Sequence, residues 1–465
     1  MRILYFAPKE CWPPTTGALV RNYYLARELA RHASVSYLSF SDDTNVVMNG
    51  GKPGSNPAVA SELAQVAMDW CENAVTVRRG SGYTLAKLAR GAVGRLPVTV
   101  LNYLTTEMAQ ALERTLEQGN FDVVQVESIH LAPYLPIIRS ARSRPLAVCD
   151  WHNIESALMR QYSDRAANPL RRLYARRTAH QLHALELQAA EEFDAHLTVT
   201  EPDRLRLAEF APSARAFVIA NGVDCDYYSD SQIDQAYASW EGKSEVSPSR
   251  ALSGNGHLQT NIDQQAVSDT RRRRLLFVGS MDYHANVDGV LQFTRSVWPR
   301  IHAQRPDIAF TIVGRNPPPE IRELQRVPGV EVTGMVEDVR PYYREAMAAV
   351  VPLRVGGGSR LKIMEAMAAG VPVISTRLGA EGIEVTDGEN ILFAETDDEF
   401  CQVVGEIDQD QERWRRLTDA GRLLVRENYD WAGLGAALAE VYRELLANGD
   451  KSIHESIKEP VDAYA

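Results

Sequence analysis

The stretch AAVVPLRVGGGSRLKIMEAMAAGVPVIS, residues 348–375, decides the fold. Ala349-Val350-Val351-Pro352-Leu353 is a short apolar run of the kind buried in a parallel sheet. Gly356, Gly357 and Gly358 let the backbone turn sharply and leave room for a close approach. Ser359 is a good N-cap for a helix starting at about Arg360. Gly370 stops that helix, and Val371-Pro372-Val373-Ile374 begins the next strand. Strand, glycine loop, helix and strand together read as one unit of a parallel α/β sheet. The loop and helix start offer unpaired N–H groups and the positive end of a helix dipole, a ready anion site. Arg360 and Lys362 add two positive charges there. Glu365, further along the helix, is placed to reach a sugar hydroxyl pair beside a bound phosphate. The combination suggests a nucleoside diphosphate with its ribose. A glycine-rich connection carrying a solvated Arg, Lys and Glu explains the same residues as well. No Gly-Lys-Ser/Thr closes the loop, so it is not a P-loop.

The surroundings of this stretch repeat the pattern. Upstream lie Leu275-Leu276-Phe277-Val278-Gly279, Ala309 to Gly314, and Val330 to Gly334, each an apolar run ending on glycine. A helix after Asn286 separates the first two. Downstream come a strand over Asn390 to Phe393, a helix near Asp397 to Ile407, and an amphipathic helix from Trp431 to Leu446. Several loops therefore open at one sheet edge. Before this series, Ser229 to Thr270 is polar and lacks apolar periodicity, the composition of a flexible insertion.

The N-terminal half carries a second series. Met1 to Pro8 reads as a strand, followed by a loop and a helix from about Ala18 to Arg31. Strands follow at Val35 to Phe40, Phe121 to Val126, Leu146 to Cys149, His196 to Thr200 and Phe217 to Ala220. The first loop lacks GxGxxG, which argues against a dinucleotide oxidoreductase. Its Gly17 is either a plain N-cap or a place where backbone N–H groups meet a phosphate or sugar. Asp150, Trp151, His152 and Asn153 stand at a strand's C-terminal end, where ligands bind in parallel sheets. His152 is a candidate to bond a substrate hydroxyl, against the commoner reading of a satisfied structural histidine. A helical pattern over Ile154 to Phe193, broken near Asn168-Pro169, includes Arg171, Arg172, Arg176 and Arg177, which a solvated face accounts for.

Composition narrows the class. The 465 residues suffice for two or three domains, and 45% hydrophobic with 24% charged residues is ordinary for a globular protein. A net charge of −11 argues against nucleic-acid binding. Five scattered cysteines form no CxxC pair, so neither a zinc site nor a disulfide framework is expected. No apolar run approaches a membrane span and the N-terminus does not read as a signal peptide, so a cytoplasmic location is expected. Within this acidic chain, Asn73 to Thr106 holds no acidic residue but includes Arg78, Arg79, Lys87, Arg90 and Arg95. That patch suits peripheral contact with anionic lipid on the inner membrane face, an anionic acceptor, or simply a solvated helix face.

Two parallel-sheet domains facing a cleft follow from pattern alone. The chain resembles nucleotide-sugar transferases of glycosyltransferase family 4, of GT-B fold, most closely those that build bacterial exopolysaccharides. The similarity rests on Gly17, Asp150 to Asn153, Asn221-Gly222-Val223-Asp224, Phe277-Val278-Gly279-Ser280-Met281-Asp282, Ile312-Val313-Gly314 and the run from Gly356 to Val373. The resemblance implies an acceptor-side Rossmann-like domain over 1–215 and a nucleotide-sugar-binding domain over 216–430, with the insertion at 229–270. A helix over 431–447, for which a return to the first domain is one option, and a tail over 448–465 complete it. It implies hexosyl transfer to an acceptor hydroxyl with retention of configuration, a glycan or lipid-linked acceptor, no cofactor and no catalytic metal. Glu365 would hold the ribose, and Met335 and Val336 would lie near the base. Gly279, Asp282, Gly314, Gly357, Gly358 and Ser359 would line the donor, while Gly17 and His152 would face the transferred sugar.

Three departures bear on activity. The first Glu of the family's Glu-x7-Glu motif falls at Gly357, Ser280 stands for an Arg, and Ala285 for a Lys. Arg360 and Lys362 are the candidate replacement cations for the leaving diphosphate. Two other readings stay open: a sugar-nucleotide epimerase of similar fold, and a non-catalytic binding scaffold.

Overall fold

The computed structural model describes residues 1–41, 68–79, 84–165, 168–229, 274–356 and 360–449. Most of the expected insertion, the end of the tail, and Gly357, Gly358 and Ser359 lie outside the described residues. The chain divides into two compact units, Met1–Asn221 with Trp431–Ala465, and Gly222–Asp430.

The first unit is built on β1 (Arg2–Ala7), β2 (Ser34–Ser41), β3 (Asn73–Arg78), β4 (Val123–Glu127), β5 (Leu146–Trp151), β6 (Ala195–Thr198) and β7 (Ala216–Val218). Among the described residues these form one parallel seven-stranded sheet in the order β3-β2-β1-β4-β5-β6-β7. The central strands are buried on both faces, which is why they read as unbroken apolar runs. Its helices include α1 (Gly17–Leu29), α2 (Leu85–Val93), α3 (Thr106–Gly119), α4 (Glu155–Arg165) and α5 (Pro169–Glu192). Asn168 caps α5, its side chain accepting from the amides of Leu170 at 2.9 Å and Arg171 at 3.3 Å, with Pro169 in the first helical position. The expected break in the long helical pattern is therefore a capped helix start. Two features differ from the sequence reading. β3 is an edge strand within the acid-free window, and β7 carries this unit past residue 215 to Asn221.

The second unit opens with α6 (Cys225–Tyr228). It continues through β8 (Arg274–Val278), α7 (His284–Gln292), β9 (Ala309–Val313), β10 (Val330–Gly334) and β11 (Ala348–Val351). The deciding stretch follows as α8 (Leu361–Ala368) and β12 (Val373–Ser375), then β13 (Leu392–Phe393), α9 (Asp397–Gln409) and α10 (Gln411–Asn428). Its parallel sheet runs β10-β9-β8-β11-β12-β13. α8 ends as the sequence requires. Gly370 has φ +70°, its amide donates to Met367 O at 3.0 Å, and the Val371 amide donates to Ala366 O at 2.9 Å. A Cβ at Gly370 would also meet the Arg422 guanidinium at 2.4 Å. α10 is absent from the sequence reading, although Trp414, Leu417, Gly421 and Val425 follow a helical period.

The last helix, α11 (Trp431–Gly449), belongs to the first unit and lies along α1. Leu438, Tyr442 and Leu445 are buried there, each contributing roughly 1.5–3 kcal/mol by leaving water. Gly435 permits the contact, since a Cβ would come within 2.5 Å of Glu28 Cβ. In both sheets the strand order reverses beside the first strand, between β1 and β4 and between β8 and β11. Ligands of doubly wound sheets bind at the carboxyl ends of strands at that point.

Candidate functional site

Each unit carries a polar centre at its own switch point. In the second unit, the loop after β8 meets the start of α8. The Lys362 ammonium donates to Asn286 Oδ1 at 2.5 Å and lies 4.5 Å from the centre of the Phe277 ring. Asn286 Nδ2 in turn donates to Ser280 O at 2.7 Å, so one amide ties the β8 loop to α8. A Cβ at Gly279 would meet Asn286 Nδ2 at 2.8 Å and Lys362 Nζ at 3.0 Å, and one at Gly314 would lie 1.9 Å from Gly279 O. These two glycines thus allow the close approach of two strand-end loops and the lysine. Burial, then the neighbouring Arg360 charge, pull the Lys362 pKa down to about 7, with Glu365 acting the other way.

Arg360 precedes α8 and is buried at 5% exposure. Among the described residues its Nε and Nη2 have no hydrogen-bond partner, and Nη2 forms an ion pair with Glu381 at 3.5 Å. Burial lowers its pKa against the pull of Glu381 and Tyr283. An unsatisfied buried donor costs about 1–3 kcal/mol, and more when charged.

Glu365 accepts from Tyr343 Oη at 3.2 Å. Burial raises its pKa, while Tyr343, Lys362 and Tyr228 hold it down. Tyr228 reaches it from α6, whose N-cap Asp224 accepts from the Tyr227 amide at 2.9 Å. The Asn221 to Asp224 turn thus leads into a short helix that supports the carboxylate. Its neighbour Tyr227 lies 4.2 Å under the Arg340 guanidinium and donates to Asp338 at 3.4 Å, joining this centre to the loop after β10. There Met335 is exposed and Val336 lines a shallow surface pocket with Glu337 and Asp338. Asp282 accepts from Asn316 Nδ2 at 3.1 Å and lies 3.3 Å from Arg315 Nε. Arg315 Nε also donates to Ser280 Oγ at 3.1 Å, so a guanidinium from the β9 loop stands beside that serine. Likewise Lys362 brings an ammonium beside Asn286, the residue after Ala285.

In the first unit, Gly17 opens α1 with Thr16, not Gly17, as its cap. The polar centre lies at the ends of β4 and β5. His152 Nε2 and Glu127 Oε2 are 2.7 Å apart, and His152 Nδ1 bonds to no described residue. Arg21 of α1 grips Asp150 with Nε at 3.1 Å and Nη2 at 2.9 Å, and donates through Nη1 to Ile219 O at 2.8 Å. Gln125 Nε2 donates to Glu127 Oε1 at 2.6 Å and to Tyr5 Oη at 2.8 Å, while Tyr442 of α11 donates to Gln125 Oε1. Turned to satisfy both neighbours, the Asn22 amide donates to Glu127 Oε2 at 2.9 Å. Burial and Asp150 raise the Glu127 pKa. Burial alone would depress His152, but the hydrogen bond and charge of Glu127, with Asp150, outweigh it and raise its pKa.

Glu127, Asp150 and His152 bring ligand atoms within 4.8 Å of one another. They do not fit a metal ion, because every carboxylate is already engaged. Arg21 takes Asp150 through two nitrogens, and His152, Gln125 and Asn22 take Glu127. The centre is an ion-pair network that aims an imidazole. The sequence reading singled out His152, Asp150, Arg360, Lys362 and Glu365, and the structure places them in these two polar centres. It missed Arg21, Gln125, Asn286, Arg315, Tyr343 and Tyr442. These act across long sequence separations and leave no local motif.

Residues 272–410 match the family described as Glycosyl transferases group 1. A phosphatidyl-myo-inositol mannosyltransferase of Mycolicibacterium smegmatis is 28% identical over 186 residues, 38% of this chain and 47% of that protein. An uncharacterized 44.6 kDa protein in the cps region of Klebsiella pneumoniae is 24% identical over 170 residues, 35% of this chain and 44% of that one. The chain therefore spans less than half the length of these curated relatives. Among solved structures, sucrose-phosphate synthase of Thermosynechococcus elongatus superposes with a TM-score of 0.62 at 16% identity, over 96% of this chain and all of that one. HepE of Anabaena, solved with UDP, gives 0.58 at 13% identity, with 96% of this chain and 100% of that one covered. These likenesses show the GT-B fold. Among the described residues, no helix is long and apolar enough to cross a membrane.

Proposed function

From the premise that this chain is a family 4-type glycosyltransferase of GT-B fold, we propose that it moves a sugar from a nucleoside diphosphate to an acceptor hydroxyl, holding the donor on its second unit. One observation carries the reading: the buried Arg360 guanidinium, whose Nε and Nη2 have no hydrogen bond among the described residues, stands at the start of the helix that carries Lys362. A diphosphate would satisfy those donors and neutralise both charges. HepE, a fold relative, was solved with UDP and with UDP-glucose.

Negative charge on the diphosphate grows as the sugar–phosphate bond breaks. Cations already fixed in a buried site stabilise that charge more than they stabilise the ground state. Arg360 and Lys362 take this role, so no metal ion is required. Glu365, held by Tyr343, binds the ribose diol, and the loop at Met335 and Val336 flanks the base. Gly279, Gly314 and Asp282 shape the donor loop, and Gly357, Gly358 and Ser359 supply backbone N–H groups. His152, oriented by Glu127, bonds a hydroxyl of the transferred sugar, with Gly17 beside it. The reaction retains configuration, and the relative in the cps region favours a role in surface glycan assembly.

The test is nucleotide release from a panel of sugar nucleotides, with chelator, with and without glycan or lipid-linked acceptors. Acceptor-dependent release, abolished in Arg360→Met, is the expected result. Release without acceptor would mark an epimerase. No release with any donor, despite nucleotide binding, would leave a scaffold and overturn the reading.

A further inference from the structure

Seven of the twelve large apolar side chains that are exposed among the described residues sit on α2, α4 and α5. Leu85 is 86% exposed, Val93 84%, Leu170 76% and Leu173 67%, with Leu88, Tyr162 and Tyr174 also exposed. Scattered exposed apolar residues need no explanation, but a concentration on adjoining helices does.

These helices adjoin. Gln181 of α5 donates to the carbonyls of Gly91 and Gly94 at 2.8 Å each, and Arg177 reaches Gly94 O at 3.3 Å. Leu170, Tyr174, Arg177 and Gln181 follow the i, i+4, i+7, i+11 spacing of one helical stripe. The stripe that docks α2 therefore continues as bare leucine and tyrosine toward the start of α5. α4 packs along the same helix.

The charge of this face is predominantly basic. No acidic residue occurs from Asn73 to Thr106, nor from Arg165 to Leu185. Exposed on these helices and their ends are Arg90, Arg95, Arg160, Arg171, Arg176 and Arg177, against the exposed acids Asp164 on α4 and Glu191 and Glu192 at the far end of α5. The arginines of α5 are thus more than a solvated helix face, because the fold joins them to the basic window around α2. The rest of the chain carries the negative charge that brings the total to −11.

We propose that this face of the first unit docks on an anionic lipid bilayer, inserting its leucines and tyrosines while its arginines meet lipid headgroups. Apolar side chains ringed by arginine suit an interface of acyl chain and anionic headgroup. A second copy fits poorly, since a symmetric contact would set this arginine-rich surface against itself. A nucleic acid fits poorly too, since projecting leucines offer bases nothing to stack on. The proposal does not depend on the chemistry of the donor site.

The experiment is co-sedimentation of the full chain with vesicles of phosphatidylcholine alone and of phosphatidylcholine with phosphatidylglycerol, at low and high salt. Two variants keep the contacts to Gly91 and Gly94: Leu170→Ser with Leu173→Ser, and Arg171→Gln with Arg176→Gln. Circular dichroism and nucleotide titration check that both remain folded. Binding to the anionic vesicles alone is expected, weakened by salt. The arginine pair is expected to reduce partitioning about 30-fold, and the leucine pair at least about tenfold. Three results would overturn the proposal: no partitioning at low salt, equal partitioning to both vesicle types, or unchanged partitioning in both variants. Concentration-dependent dimerisation lost in these variants, without lipid binding, would assign the face to a second copy.

Discussion

Lys362 is the residue whose charge state the structure makes most sensitive to conditions. Burial and Arg360 bring its pKa to about 7, so the empty protein loses this charge near neutrality. A bound diphosphate adds at least two negative charges nearby and returns the ammonium toward its ordinary range, about 10.4. Nucleotide affinity is therefore expected to fall as pH rises. If the bound form stays fully protonated, the dissociation constant grows about 50-fold between about pH 7 and about pH 9. The nucleotide's own second ionisation lies near pH 6 and adds little across that range. At about pH 8, binding should take up about 0.9 proton, which calorimetry reads from buffers of different ionisation enthalpy. Lys362→Met should bind more weakly at neutral pH and show neither effect. In the empty protein the sign is opposite for folding: with a depressed lysine pKa, stability rises as pH climbs from about 7 toward the unfolded value. A flat affinity between pH 7 and 9, or the same slope in Lys362→Met, would refute the reasoning.

Other expectations follow from the same two centres. Arg360→Met should weaken nucleotide binding roughly 10- to 100-fold and change the thermal midpoint little, because the ion pair it breaks is with the half-exposed Glu381 while two buried donors without a hydrogen bond among the described residues go with it; a clearly lower midpoint with intact binding would contradict it. Glu127→Gln should lower the His152 titration seen by NMR, since Glu127 raises that pKa against burial. The stability this pair contributes is present below the unfolded histidine value and fades as pH rises through the folded one. Tyr442→Phe should cost about 1–2 kcal/mol in urea unfolding, because Gln125 loses its donor in a buried network; a change within error would show that the hydroxyl is replaceable.

The parallel strands were legible because burial on both faces makes each an apolar run closed by a glycine or polar turn. β3 escaped that reading. Asn73–Arg78 is an edge strand with mostly exposed residues, and its sequence reads first as the start of a basic window. α10 was passed over because charged residues dominate it, though its buried positions keep helical spacing. The candidate site was legible where its residues are neighbours in sequence, as with Arg360 at the start of α8 and Lys362 and Glu365 within it. It was not legible where the fold brings distant residues together. Ser280 and Ala285 read as departures in the sequence, with Arg360 and Lys362 as the candidate replacement cations. In the structure Arg315 and Lys362 bring cations beside those positions from other elements. Tyr442 reaches Gln125 across 317 positions, a link no local pattern announces. The chain's acid-free stretches, read separately, each admitted a plain solvated face; only the contact of α2 with α5 joins them.

The most direct test of the donor site is calorimetric titration with UDP, GDP and ADP in the presence of chelator, on the wild type and on Arg360→Met. The account predicts that one of these nucleotides binds without metal and that the variant binds it at least tenfold more weakly. No binding by any of the three, or equal binding by the variant, would contradict it.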